Sequence, residues 1–302
     1  LDIRLLRYFI AIAESSTFTK AAASLHIAQP SLSIAIKKLE TDMGLTLLDR
    51  SMREIALTKE GRILYEEAKK LVTHFEYVEK ELKRLKAQGP MELSIGIIES
   101  AKFWIPKVLK WIKEEFPDVH IEIIEVLGLD DINRALNKYD IHFAITNQLI
   151  SRREVKTLPI YRENFVVLLP PGHALADQPE VSITDLQNEA FIIFKEGFQT
   201  RVDILNAFRQ AGTKPNIQFE VERFETACSF VEEGLGVTFV PENYLHASAD
   251  SRYTIKPLKD AIAPRTVYLA FDTSRYLPPL VMRSMELIKE FFEKVEAAEK
   301  DT

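Results

Sequence analysis

Between residues 59 and 88, Leu64, Ala68, Leu71, Phe75, Val78, Leu82 and Leu85 recur in steps of four and three. That is an a/d seam held over about three heptads, the spacing that keeps one stripe of a helix facing a partner helix. Charged residues such as Glu66, Lys70, Glu79 and Lys83 cover the other faces. Such a helix cannot bury its stripe alone, so the chain must supply a second helix or meet another copy of itself. "AQGP" at 87–90 ends the segment. The seam divides the 302 residues into a front domain (1–58), a linker and dimerisation helix (59–89) and a rear domain (90–302).

The front domain reads as short helices followed by a hairpin. "IRLLRYFIAIAES" puts Leu5, Phe9 and Ile12 on one side at helical spacing. Thr17 suits the N-cap of a second helix whose inner face is Phe18, Ala21, Ala22 and Leu25. "HIAQP" is a tight connection, and Pro30 fits the first turn of a third helix running to about Glu40. On a wheel of ~100° per residue, Leu32, Ala35, Ile36 and Leu39 fall on one side of that helix. The other side carries Pro30, Ser31, Ser33, Ile34, Lys37 and Lys38. Hydroxyls, ammonium groups and one branched aliphatic suit a DNA major groove, which displays thymine methyls beside donors and acceptors. Gln29 at the helix start can reach an adenine edge. A helix, a tight turn and a second helix entering the groove by its N-terminal end form a helix-turn-helix. The alternative is an ordinary solvated face. "LTLLDRSMREIALT" alternates as two short strands around a polar tip, flanked by Arg50 and Arg53. That tip is either a wing tracking phosphates or a solvated turn.

Charge agrees with the division without deciding it. Residues 1–58 hold 7 Lys+Arg and 6 Asp+Glu, or +1; against the chain total of -6, the remainder carries -7. The single cysteine, Cys228, excludes an internal disulfide and any cysteine-pair metal or redox motif, and reads as helix packing. No apolar run is long enough to span a bilayer, and the N-terminus lacks a leader's cleavage site, so a cytoplasmic location and no membrane partner are expected.

From Met91 the pattern changes to strand–helix alternation, the signature of an α/β domain. "ELSIGII", "VHIEIIEV", "IHFAIT", "NFVVLLP", "FIIF", "NIQFEVE", "GVTFVP" and "TVYLAF" read as strands, with "LPIYRE" a connection. Helices are expected at "FWIPKVLKWIKEEF", "DDINRALNKY", near 200–211, near 225–234 and at "PPLVMRSMELIKEFFEKV". Ser100 ends the first strand, where its hydroxyl can cap a helix, bind a ligand, or both. Gln199 or Thr200 repeats that logic, with Lys195 and Arg201 nearby as either anion ligands or surface cations. His142 in an apolar strand reads as a satisfied core or interface histidine. There is no P-loop, "G-x-S-x-G", "H-E-x-x-H" or Gly-rich dinucleotide turn, so the chain is read as not an enzyme and as needing no cofactor.

Taken together, "L-x-x-F", "F-T-x-A-A-x-x-L", "Q-P-S-L-S-x-x-I-x-x-L-E", "G-L-x-L-L-x-R" and "L-T-x-x-G", from Leu6 to Gly61, resemble the winged helix-turn-helix of the LysR-type transcriptional regulators. "EEGLGVTFVP" at 232–241 matches a segment of that family's C-terminal half. The resemblance implies a winged helix-turn-helix domain, a linker helix and an α/β two-lobed effector domain like periplasmic solute-binding proteins. Lobe I would take about 91–161 and 267–302, and lobe II about 162–266. It implies an activator or repressor that binds double-stranded promoter DNA of dyad symmetry as a homodimer, usually a homotetramer. RNA polymerase is a partner it allows. DNA contacts would fall to Thr17, Thr19, Gln29, Pro30, Ser31, Ser33, Ile34, Lys37, Lys38, Arg50 and Arg53. A small-molecule co-inducer, expected to be a small carboxylate, would meet Ser100, Ala101, Lys102, Thr146, Asn147, Lys195, Phe198, Thr200, Arg201 and Thr238. The chain departs from the family pattern at Ile34, usually polar, and in "LLDR" at the wing. It departs again at Tyr139, usually small, and at His142, usually aliphatic. A solute-binding protein without DNA regulation is the competing reading, and it leaves residues 1–88 unexplained.

Overall fold

The computed structural model describes residues 2–15, 17–49, 55–87, 91–245, 252–259 and 264–300. The chain forms two compact units, Leu1–Gly89 and Pro90–Thr302.

In the first unit, α1 (Ile3–Ser15), α2 (Phe18–Ser24) and α3 (Gln29–Met43) surround one core. Leu5, Phe9, Ile12, Ala21, Ala22, Leu32, Ile36 and Leu39 fill it, joined by Leu47 and Leu48 from the segment after α3. The Thr17 hydroxyl accepts the Lys20 amide at 3.2 Å and starts α2. Gly44, at φ +67, closes α3 in the left-handed region open to glycine. The Glu40 carboxylate then accepts the amides of Leu47 (2.9 Å) and Leu48 (3.2 Å), fixing the chain as it enters the wing. Two short antiparallel strands, β1 (Leu48–Asp49) and β2 (Ala56–Leu57), form the wing stem. The motif "L-T-x-x-G" has a local cause. Thr58 Oγ1 donates to Thr46 O (2.8 Å) and accepts the Gly61 amide (2.9 Å) at the head of α4 (Lys59–Ala87). A Cβ at Gly61 would lie 2.0 Å from the Leu47 carbonyl oxygen, so only glycine fits.

The heptad seam is divided. Ala68 and Val72 are buried with Leu6 of α1, and Leu64 packs on the same cluster. Leu71, Phe75, Val78 and Leu82 stay exposed. The Leu85 side chain lies outside the described residues.

The second unit has two lobes. Lobe I is a five-stranded sheet in the order β4-β3-β5-β12-β6. Its strands are β3 (Glu92–Ile97), β4 (His120–Glu125), β5 (Phe143–Thr146), β6 (Val155–Glu163) and β12 (Arg265–Asp272). β3 runs parallel to β4 and β5, and β12 runs antiparallel to β5 and β6. The helices α5 (Ile105–Glu115), α6 (Leu129–Asn137) and α9 (Pro279–Lys300) complete this lobe, and α5 packs on α9. Lobe II holds β7 (Phe165–Leu169), β8 (Ala190–Phe194), α7 (Gln199–Gln210), β9 (Asn216–Val221), α8 (Phe224–Glu232), β10 (Thr238–Pro241) and β11 (Thr254–Pro257). β7 lies between β10 and β11, and β8 pairs parallel with β9. Each lobe has its own apolar core.

Two expectations need correction. "LPIYRE" is not a connection but most of β6, whose register on β12 shifts between Val267 and Tyr268. Pro159, on this edge strand and opposite Tyr268, interrupts the alternation that would have marked it. The segment "FW" does not open the helix: Phe103 ends a 3-10 turn (Glu99–Phe103), and α5 starts at Ile105.

His142 is satisfied within the sheet. Its Nδ1 accepts the Ser94 amide at 2.9 Å, and its own amide donates to Ser94 O at 2.8 Å. Tyr139 adopts φ +57, a conformation that favours small residues, with the Arg275 guanidinium 5.2 Å from its ring centroid.

Candidate functional site

Two places concentrate the chemistry, one in each unit. On α3, Leu32, Ile36 and Leu39 are fully buried, while Gln29, Pro30, Ser31, Lys37 and Lys38 are exposed and Ser33 is half-buried. Ile34 is 69% exposed in the middle of that outer face. Ala28, the N-cap of α3, has no side chain to cap it, so the first-turn amides point outward with the positive end of the helix dipole. Thr19 is exposed, whereas the Thr17 oxygen is engaged by α2. A groove of about 420 Å³ runs between α1 and this face, lined by Arg4, Tyr8, Ser31, Ile34 and Lys38 among others. Arg50 and Arg53 lie outside the described residues.

The second place is the cleft between the lobes of the rear unit. Arg265, the first residue of β12, faces Glu163, the last of β6, across the sheet. Arg265 Nε donates to Glu163 Oε1, and both side chains are buried. Arg265 Nη1 donates to Thr200 Oγ1 at 2.9 Å, at the start of α7. Arg265 Nη2 reaches Ser100 Oγ at 3.5 Å, and Ser100 Oγ donates to Glu163 Oε1 at 3.4 Å. Burial pushes the Glu163 carboxyl above its ordinary range, and the guanidinium beside it pulls the other way. A second link crosses nearby. Glu99 of lobe I, 5% exposed, accepts the Phe224 amide (2.8 Å) and the Glu225 amide (3.3 Å) at the start of α8. Lys102 Nζ, 3.1 Å from Tyr244 Oη, makes a third. The space left in the cleft is about 20 Å³, roughly the room one water needs.

The expected effector residues divide. Asn147, Phe198 and Thr200 line the cleft together with Glu99, Glu222, Phe224 and Arg265. Ser100, Ala101, Thr146 and Thr238 are fully buried. Ser100 caps no helix: Ile98 precedes the 3-10 turn, and the Ser100 hydroxyl is taken up by Glu163 and Arg265. Thr146 Oγ1 accepts the Gln148 amide (3.0 Å), and Thr238 Oγ1 donates to Ile192 O (2.8 Å). Lys195 is exposed and pairs with Glu222 at 2.7 Å. Arg201 donates to Phe194 O (2.7 Å) and Glu220 (3.2 Å). Glu99, Glu163 and Arg265 were missed by reasoning along the sequence. A lone arginine opening the apolar strand "RTVYLAF" is the one local sign of them.

A helix-turn-helix with a wing, joined by a long helix to a two-lobed ligand-cleft domain, defines a DNA-binding regulator with a sensor domain. Residues 3–62 match the family model "Bacterial regulatory helix-turn-helix protein, lysR family", and residues 86–293 match "LysR substrate binding domain". The chain belongs to the LysR family of transcriptional regulators. It is 31% identical to the uncharacterized HTH-type transcriptional regulator YcgK of Bacillus subtilis, covering 96% of this chain and 94% of that one. It is 30% identical to the transcriptional dual regulator GltC of the same species, covering 98% and 99%. Full-length BenM matches with a TM-score of 0.59 at 27% identity, covering 99% of this chain and 98% of that one. Full-length CbnR complexed with its target DNA matches in fold, with a TM-score of 0.64 at 20% identity, covering 96% and 99%. These relatives are regulators of transcription, not enzymes, and this chain is a DNA-binding transcriptional regulator with an effector-binding domain. Among the described residues no helix is long and apolar enough to cross a membrane.

Proposed function

We propose that the chain works in the cytoplasm as a homodimer, assembled further into a tetramer, on promoter DNA of dyad symmetry. RNA polymerase is the further partner at the promoter. The outer face of α3 enters the major groove, with Gln29, Ser31, Ser33 and Ile34 toward base edges. Pro30, Lys37, Lys38, Thr17, Thr19, Arg50 and Arg53 complete the DNA-facing set, the cations against phosphates. Leu71, Phe75, Val78 and Leu82 of α4 form the dimer seam, extended by Leu85, while Leu64 and Ala68 anchor α4 to its own α1. The interlobe cleft takes the small-molecule effector, with Asn147, Phe198 and Thr200 on its wall.

The observation that carries the DNA reading is the division of α3. On its apolar side Leu32, Ile36 and Leu39 are fully buried, yet its outer side shows a 69% exposed isoleucine among hydroxyls and ammonium groups. Water gives that isoleucine no partner, whereas a thymine methyl among base edges would match both it and its polar neighbours. A gel-shift assay with DNA from upstream of the protein's own gene and its neighbours tests the reading. Binding should resist competitor DNA at moderate salt and weaken steeply as salt rises, because phosphate contacts release counterions. No shift above competitor would refute it.

A further inference from the structure

We infer that Glu99 sets the charge selectivity of the cleft, by seating the chain's own carboxylate where an anionic effector would otherwise bind. The inference rests on the reading of the cleft as the effector site, and it narrows the class of molecule that site accepts. The start of α8 faces the cleft through Phe224, and Arg223, its N-cap, makes no side-chain capping bond. Exposed first-turn amides and the helix dipole make such a place a ready seat for a carboxylate. Here the seat is filled from the opposite lobe. Glu99 Oε2 takes the Phe224 amide and Oε1 the Glu225 amide, from 125 and 126 residues away in sequence.

The cations around the cleft are committed as well. Arg265 is spent on Glu163, Thr200 and Ser100, Lys195 on Glu222, and Arg201 on Phe194 O and Glu220. What the lining offers a guest is the opposite chemistry. Beside the already engaged carboxylates of Glu99 and Glu222, which keep the lining negative, its unengaged groups are the faces of Phe194, Phe198 and Phe224 and the Asn147 Oδ1. That oxygen is buried without a hydrogen-bond partner among the described residues. Acceptors and π faces suit a ligand that brings N–H groups and no negative charge. A carboxylate would have to displace Glu99 and leave it buried beside a second anion.

The test uses the full-length protein, acetate as probe, and hydrogen–deuterium exchange resolved at Phe224 and Glu225. These amides belong to the first turn of α8, where the helix itself provides no acceptor, so their protection reports on Glu99 directly. Acetate matches the atoms that Glu99→Ala removes. In sodium chloride, Glu99→Ala should speed exchange at both amides by about tenfold or more, the scale of one charge-assisted hydrogen bond. Amides deeper in α8 should stay as in the parent protein. Sodium acetate at equal ionic strength should restore protection in Glu99→Ala and change nothing in the parent. Glu99→Gln, close to the parent in shape, should give intermediate exchange, and it carries the test if Glu99→Ala does not fold. Unchanged exchange in the variants, no response of Glu99→Ala to acetate, or equal acetate protection of the parent would each overturn the inference. Because exchange at these amides needs no DNA, that failure leaves the regulator reading standing.

Discussion

At the scale of single residues, Ile34 bears on which DNA the chain prefers as well as on whether its α3 face meets DNA. It sits on the exposed side of α3 between Ser31 and Lys38, where the family usually carries a polar group. Contact with a thymine methyl should give a preference for T at the base it faces, and Ile34→Arg should replace that preference. Selection from random sites, run on both proteins, checks this; identical base preferences would remove Ile34 from the reading. Ser33 is only half exposed, yet Ser33→Ala should still cost ~1 kcal/mol or more of specific affinity, the scale of a base-edge contact, in a titration of the cognate site. Cys228 behaves differently from a sensor thiol. Burial pushes its thiol up to about 12. At pH 8 its thiolate fraction is then far below that of an ordinary cysteine, and alkylation should be slower by well over about tenfold, the higher nucleophilicity of the scarce thiolate offsetting part of the loss. Brisk labelling of the folded protein would contradict this environment. The α3 face was legible in the sequence because helical periodicity alone separates its two sides. Glu99 and Arg265 were not, because a side chain's meaning there depends on partners far away in sequence.

Elements were legible where a period ran uninterrupted, and lost where one residue broke it. The helices of the front domain follow from apolar spacing and caps, and the buried strands of both lobes from short apolar runs between turn signals. β6 escaped because Pro159 interrupts its alternation at the register shift. The α4 seam was legible as a stripe, but periodicity does not say which partner a position meets. Ala68 is buried against Leu6 of its own chain, while Leu71, one turn on, is 48% exposed. The two positions therefore predict opposite outcomes for one chemical change. Leu71→Glu should leave the helical content intact and dissociate the proposed dimer, seen by sedimentation, because it places a charge in the stripe proposed as its seam. Ala68→Glu should instead unfold the front unit at lower denaturant, by roughly 2 kcal/mol or more, because it buries a charge with no partner. Dimers that survive Leu71→Glu would move the interface off this stripe.

For the effector-binding unit as a whole, lobe I and lobe II meet through charges buried between them, and that fixes how their stability responds to mutation and pH. Arg265 joins β12, β6, the 3-10 turn at Ser100 and the start of α7 through four side chains. Removing one member of a buried pair leaves the other charge without compensation, a loss of about 3–5 kcal/mol. Arg265→Met should cost that much, read as a lower denaturation midpoint of the full chain. Its pH dependence follows from Glu163. Burial already raises that carboxyl above its ordinary value, and losing the guanidinium that opposes the shift raises it further. A carboxyl raised in the folded state stabilises fully below its unfolded value, and that stability is lost as pH rises through the folded value. The deficit of Arg265→Met should therefore be smallest in acid, where Glu163 is protonated in both states, and widen as pH rises above the carboxyl range. Arg265→Met combined with Glu163→Gln removes the stranded charge, so the double variant should recover most of the loss and its deficit should no longer widen as pH rises. A deficit in Arg265→Met that is itself flat with pH would mean that Glu163 is not what the arginine holds in place.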